Sequence, residues 1–421
     1  MRRAHRWWLG ALGVLLALPL LAAAWLLWFV DPSSLRPAIE AQVRGRFGVE
    51  LRLTGPLKWD LWPGLAVESG AGELGVASAA GAPGSAAIPG AMPGAPLLRW
   101  QALRFTLQWP GLHPTTWQFD GIVFDGLQAA LERDASGRWN VAALFDAVAD
   151  SQSRAATPGQ ALRIHPLELR NSQLRFVFSP QGPPWQMTRL NMKADVDRSV
   201  DGLWTLAGLQ LAADVRGGPL PALEAVTLET ARAVIDPAGS TLRIEPLHAR
   251  VADATLNVTA PQPLRWSPLE GEGELQFETA SLRRWLAAQG VRLPPMRDST
   301  VAGGTAIATT WKFDAGKTDF SGLQIRLDDT HLQGRIAGQW QQPQDWQVEL
   351  QGDTLDADRY LRPDGDPGEP FVLPVEALRA LPVNGSVKLK RLSGGGVVAQ
   401  DAVIELSSAK PGAAAAAGAA R

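Results

Sequence analysis

Side chains able to do chemistry are few in this chain, and their spacing argues against catalysis. The five histidines, His5, His113, His165, His248 and His331, show no HxxxH or HxH spacing that would bring two imidazoles to one zinc ion. Cysteine is absent, which removes thiol nucleophiles, Cys-ligated zinc, iron–sulfur centres and any disulfide framework. No GxSxG elbow, Walker loop or Rossmann fingerprint occurs. Two acidic pairs remain. Asp328 and Asp329 are adjacent, and neighbouring side chains of a strand point to opposite faces, so a strand-end turn is expected rather than a metal site. Asp356 and Asp358 share a face, but they flank Ala357 just before RYLRP, where turn formation or capping accounts for them. The expectation is a protein with no enzymatic activity, no metal and no cofactor.

The formal net charge of -2 and the absence of like-charge runs leave no basic footprint for nucleic acid. Tryptophan is abundant, 17 residues against one tyrosine and 12 phenylalanines. Indoles suit positions that are apolar on one side and wet on the other, although most can equally be ordinary core residues.

The elements that hold these residues begin with a charge-free apolar run at 7–30, WWLGALGVLLALPLLAAAWLLWFV, behind the basic residues 1–6. About two dozen helical residues reach roughly 36 Å, enough to cross a hydrocarbon core of about 30 Å with some tilt. Arginines before the run and Asp31 after it predict a cytoplasmic N-terminus and an exported remainder. A cleaved signal peptide ending at Ala22–Ala24 is the rival reading, but the apolar run continues past that point through WLLWFV.

Residues 31–68 read as a short juxtamembrane helix and the first strands. Asp31 and Pro32 open the helix, Leu35, Ile39, Val43 and Phe47 form its stripe, and Gly48 ends it. That stripe either packs on the following strands or lies on the bilayer, and its narrowness favours packing. Residues 69–96, rich in Gly, Ala and Pro, read as a flexible insertion, and 409–421 as a disordered tail.

Residues 97–408 alternate with period two, as a long succession of short antiparallel strands with one apolar face. Leu103, Phe105 and Leu107; Leu174, Phe176 and Phe178; Leu256 and Val258; Leu275 and Phe277; and Leu323, Ile325 and Leu327 carry that face. Arg104 and Arg175, or Glu274, Gln276 and Glu278, carry the other. Turn chemistry appears in ERDASGRW, VIDPAGS and TWKFDAGK. Helical breaks are expected at Asn140–Ala149 and at Ser281–Gln289, where Ser281 caps and Gly290 stops the helix; both are expected to cover sheet edges.

Four stretches, taken in order, resemble the AsmA family of inner-membrane-anchored periplasmic proteins of Gram-negative bacteria. The anchor runs into DPSSLRPAIEAQVRGRFGVELRLTGPLKWDLWPGL, with Gly55 and Pro56, Trp59, and a bend at Trp62 and Pro63. The hairpin FDGLQAALERDASGRWN ends in Gly137, Trp139 and Asn140, with Trp and Asn exchanged relative to the family's turn. The element QIRLDDTHLQGRIAG holds Asp328, Asp329, Thr330 and Gly334, and LDADRYLRP holds Asp358, Arg359 and Tyr360.

The resemblance implies a mainly β fold: an N-terminal transmembrane helix, then a long, curved, taco-like antiparallel sheet with a few short helices. It also implies phospholipid or other acyl-lipid transfer between the inner and outer membranes, with a partner in outer-membrane biogenesis. The physics agrees, since a one-sided apolar sheet must bury that face, and acyl chains contribute about 0.8 kcal/mol per methylene withdrawn from water. Two alternatives stand beside this: an ordinary sandwich of two packed sheet faces, and a non-transporting assembly or regulatory factor for outer-membrane biogenesis. The larger family members continue with further strands where this chain reaches its alanine-rich tail, and some twenty strands, roughly 95 Å at about 4.8 Å each, fall short of a bridge between membranes.

Overall fold

The computed structural model describes residues 34, 36–47, 49–60, 65–76, 96–107, 116–133, 139–140, 161–178, 183–217, 220–339, 342–360 and 383–407. The protein is mainly β with few helices, and its chain divides into two compact units, Met1–Asp201 and Gly202–Arg421, each built on a long mixed sheet of many strands. The expected anchor at 7–30 lies outside the described residues. So do most of the expected insertion, the expected helix after Asn140, and the tail from Ala409. Among the described residues no helix is long and apolar enough to cross a membrane.

In the first unit, helix α1 (Arg36–Phe47) packs on the sheet rather than standing free. Ile39 meets the apolar cluster, Arg36 Nη2 donates to the Gly55 carbonyl at 2.7 Å, and the Leu53 N–H donates to Glu40 Oε1 at 2.8 Å. The strands are β1 (Val49–Leu53), β2 (Leu57–Asp60), β3 (Leu65–Ser69), β4 (Gly72–Val76), β5 (Leu98–Trp100) and β6 (Ala102–Leu107). They continue with β7 (Thr116–Asp125), β8 (Gln128–Glu132), β9 (Ala161–Val177) and β10 (Trp185–Arg198).

Consecutive short strands act as two halves of one bent strand. β1 and β2 pair with β4 and β3, which pair in turn with β5 and β6; these pair with β8 and β7, and both of the latter run parallel to β9. β10 closes the series antiparallel to β9. The bends fall at Gly55, Gly70, Gln101, Gly126, Asn171 and Arg189, forming a crease across the sheet. Glycine is required where chains nearly touch or turn left-handed: a Cβ on Gly55 would sit 2.3 Å from the Ala71 nitrogen, and Gly126 has φ +63°. Leu53, Leu57, Val67, Trp100 and Leu127 are buried inside the crease, which makes the apolar face its concave side.

The second unit holds β11 (Trp204–Gly217), β12 (Leu220–Asp236), β13 (Thr241–Ile244), β14 (Leu247–Val251), β15 (Ala254–Thr259), β16 (Leu264–Trp266) and β17 (Leu269–Thr279). After helix α2 (Leu282–Ala288) come β18 (Thr305–Asp314), β19 (Lys317–Leu327), β20 (Thr330–Gln339), β21 (Gln342–Asp356), β22 (Val383–Gly394) and β23 (Val397–Leu406). From β17 to β21 each strand pairs antiparallel with the next. The β18–β19 hairpin closes through Ala315 and Gly316, both left-handed (φ 45° and 93°), as a two-residue turn that matches strand twist requires. Helix α2 begins as the sequence predicts, with the Ser281 side chain accepting the Arg284 N–H at 3.3 Å, and it ends before Gly290 at φ +80°.

Two expectations are corrected. The sheets are mixed rather than antiparallel, because β9 runs parallel to β7 and β8, and β22 parallel to β21. Parallel neighbours need a connection of a dozen or more residues, and 133–160 and 357–382 supply it. The strands are also longer than expected, with β9 and β12 reaching 17 residues each. Pro166 and Asn171 interrupt the alternation of β9 without ending it. Proline sits where pairing with β7 skips from Phe119–Ile164 to Ile122–Leu167, so no ladder hydrogen bond is lost.

Candidate functional site

Register in the second unit aligns apolar residues into a row perpendicular to the strands. Leu211 of β11 faces Leu228 of β12, then Ala249 of β14, Leu256 of β15, Phe277 of β17 and Ile307 of β18. From Ile307 the row continues through Ile325, Leu332, Gly352, Leu389 and Ala402 on β19 to β23. It crosses eleven strands without a polar side chain, about 48 Å measured along the sheet at roughly 4.8 Å per step. Of these residues only Leu389 is buried; the other ten are half-buried, neither core nor free surface. Helix α2 covers part of the row, with Trp285 meeting the Phe277 ring edge-on at 5.0 Å.

The first unit repeats the arrangement on each side of its crease. Leu51, Leu74, Leu98, Ala129, Leu174 and Met187 align across β1, β4, β5, β8, β9 and β10. Val67, Phe105, Ile122, Leu167 and Ala194 align across β3, β6, β7, β9 and β10, with Trp59 of β2 at the same register. Phe176 leads into an aromatic group, since Phe178 stacks on it at 6.0 Å and meets Trp139 and Trp185 edge-on at 5.4 and 5.7 Å. Phe178 is 49% exposed there, an apolar surface at the end of β9.

The residues singled out from sequence fall on these faces. Leu103 and Phe105 border the crease, with Leu107 at the next register position, and Leu174 and Phe176 follow on β9. Leu256, Phe277 and Ile325 lie in the eleven-strand row. Val258 and Leu275 stand opposite each other one row away, as Leu323 stands opposite Gly334, and Leu327 opposite Thr330 lies on the other side. Leu323 is only 4% exposed and belongs to the core. Arg104 and Arg175 are exposed on the opposite faces. Sequence reading missed Leu211, Leu228, Ile307, Leu332 and Leu389. Around Ile307 the flanking Ala306 and Ala308 dilute the alternation.

The motif residues assemble a clasp at the strand ends. Asp328 and Asp329 form the β19–β20 turn, Asp328 at φ 51°. The Asp328 carboxylate accepts the N–H groups of Ala302 and Gly303, each at 2.9 Å, and the Tyr360 hydroxyl at 2.6 Å. Burial and that carboxylate push the Tyr360 hydroxyl well above its ordinary pKa. Arg359 bridges Asp298 at 2.8 Å and Asp329 at 2.7 Å. The Thr300 hydroxyl and N–H, then Arg359, hold the Asp298 carboxyl down to about 2. Asp298, distant from both motifs in sequence, was not foreseen.

Asp358 accepts the Gly395 N–H at 2.8 Å, Thr330 donates to the Thr354 carbonyl at 2.9 Å, and the Asp358 N–H donates to Asp356 at 3.2 Å as a cap. A Cβ on Gly334 would fall 1.9 Å from the Glu349 carbonyl oxygen. Asn140 ties its turn to the Ala130 carbonyl at 2.8 Å and accepts the Glu132 N–H at 3.1 Å. Gly55 and Pro56 mark the crease, whereas Trp62, Pro63 and Gly137 lie outside the described residues. These acids are committed to turns and backbone donors, and among the described residues no group of three or more His, Asp or Glu side chains is placed to hold a metal ion.

The AsmA family model matches residues 1–199. No curated protein and no solved structure gives a significant match. That match covers the N-terminal apolar sequence, α1 and the creased sheet through β10, and over those residues the chain is similar to the AsmA family.

Proposed function

We propose that the half-buried apolar faces bind the acyl chains of phospholipids and that the protein transfers such lipids between inner and outer membrane, without catalysing a reaction. In this reading the run at 7–30 anchors the chain in the inner membrane of a Gram-negative cell and the rest acts in the periplasm. The observation that carries the reading is the apolar row across eleven strands, ten of whose residues stay half-buried. A packed sandwich would bury them fully, whereas chains laid along the row withdraw them from water at about 0.8 kcal/mol per methylene. The AsmA-family match over residues 1–199 supports the same reading.

A photo-crosslinking residue at Phe277 or Ile325 should capture phospholipid in growing cells, and one at Gln276 or Gln324 should not. Equal labelling of both faces, or none, defeats the proposal. A second reading, a factor that binds outer-membrane biogenesis partners, is favoured by β23, where Val397, Val398 and Val403 are 66%, 52% and 56% exposed. Deleting those three apolar side chains while lipid capture persists, yet losing function, would select it.

A further inference from the structure

The polar face of the second unit is not a uniform solvated surface. An open depression of about 640 Å³ lies on it, extending from β15 to β22. One row of register partners runs through it: Asn257, Gln276, Ala308, Gln324, Gln333 and Gln351. Five of the six carry a carboxamide, which offers both donors and acceptors and no charge. Asn257 is engaged by His248 Nδ1 at 2.6 Å, while the side chains of the four glutamines make no hydrogen bond among the described residues. The neighbouring row holds Glu278, Ala306, Arg326, His331 and Asp353, with Lys390 beyond, so two fixed cations face two carboxylates and the depression has no net sign. Ala306 and Ala308 lower its middle between long side chains on both flanking strands.

We propose that this trough is a second binding site, separate from the apolar face, and that it takes an uncharged, amide-bearing glycan chain. The reasoning is chemical. A pyranose ring presents an apolar C–H face, which two alanine methyls accept, and a rim of hydroxyl and acetamido groups, which need paired donors and acceptors such as carboxamides supply. Strands at roughly 4.8 Å repeat those carboxamides at about the length of one ring, so the chain lies across the strands. A polyanion finds its cations offset by Glu278 and Asp353.

Titrating the full-length protein in detergent with chitohexaose, followed calorimetrically, tests this. Saturable binding is expected, weakened at least tenfold by Gln324→Ala and abolished by Ala308→Glu, whose longer side chain fills the trough. Cellohexaose, lacking acetamido groups, should bind more weakly. Far-UV circular dichroism confirms that both variants keep the fold, and phospholipid capture at Phe277 should persist in them, because the two faces act separately. Absence of chitohexaose binding at millimolar concentration, unchanged affinity in Ala308→Glu, or preference for dextran sulfate over the neutral oligomer would each overturn the assignment.

Discussion

Replacing Ile325 by aspartate puts a carboxylate in the middle of the eleven-strand row, between Ile307 and Leu332. Each strand contributes roughly 4.8 Å of that face, so an acyl chain lying along it loses contact for about three or four methylenes. At about 0.8 kcal/mol each, the loss is roughly 2.4–3.2 kcal/mol, before any cost of desolvating the carboxylate. With about 1.4 kcal/mol per tenfold change, phospholipid affinity should fall by about 50- to 200-fold. Displacement of a fluorescent phospholipid from the purified protein measures this directly. Gln324→Asp, one residue away on the opposite face, introduces the same charge and should leave affinity within about twofold. If both variants weaken binding equally, charge repulsion from the lipid headgroup is the cause; if neither does, the row is not where chains lie.

Tyr360→Phe keeps the ring but removes the hydroxyl donated to Asp328, and a hydrogen bond to a charged group contributes about 1.5–3 kcal/mol. Because Tyr360 is only half-buried, a loss near about 1.5 kcal/mol is expected in urea denaturation, and an unchanged midpoint would mean that the clasp adds nothing. Asp298, held at about 2 against an ordinary 3.8, stabilises the folded state above pH 3.8 and loses that contribution as pH falls through about 2. Acid unfolding of Asp298→Asn should therefore lack the slope that the wild-type protein shows between those values, and superimposable profiles would contradict the assignment. Gly55→Ala forces a methyl against the Ala71 backbone at the crease, so about 1–3 kcal/mol should be lost; a neutral result would show that the bend relaxes freely.

The apolar face was legible because period two survives in the sequence: Leu275 and Phe277, or Leu323, Ile325 and Leu327, read directly as one side of a strand. What alternation does not encode is the neighbour on the next strand. The row through Ile307 and Leu332 emerges only from register, which hairpin turns at Ala315–Gly316 and Asp328–Asp329 fix locally. Parallel pairing of β9 and β22 was invisible for the same reason, since it depends on long connections rather than on turn residues. The crease was half visible. Gly55 and Pro56 announce a bend and Asn171 tolerates left-handed backbone, but Arg189 reaches it through tertiary pairing rather than through any preference of its own. The clasp was read as turns, correctly for Asp328 and Asp329, while its reach to Asp298 depends on the path of residues 290–304.

The run from β18 to β21, in which every strand pairs only with its chain neighbours, has an energetic consequence. Where strands are paired to their chain neighbours alone, stability approaches a sum of nearest-neighbour terms, as in a one-dimensional array. Opening one hairpin then costs its own two interfaces and little more, so hydrogen exchange should be graded along the sheet instead of uniform. The same arithmetic makes length adjustable: a hairpin whose alternation keeps phase can be inserted or removed without rebuilding any core.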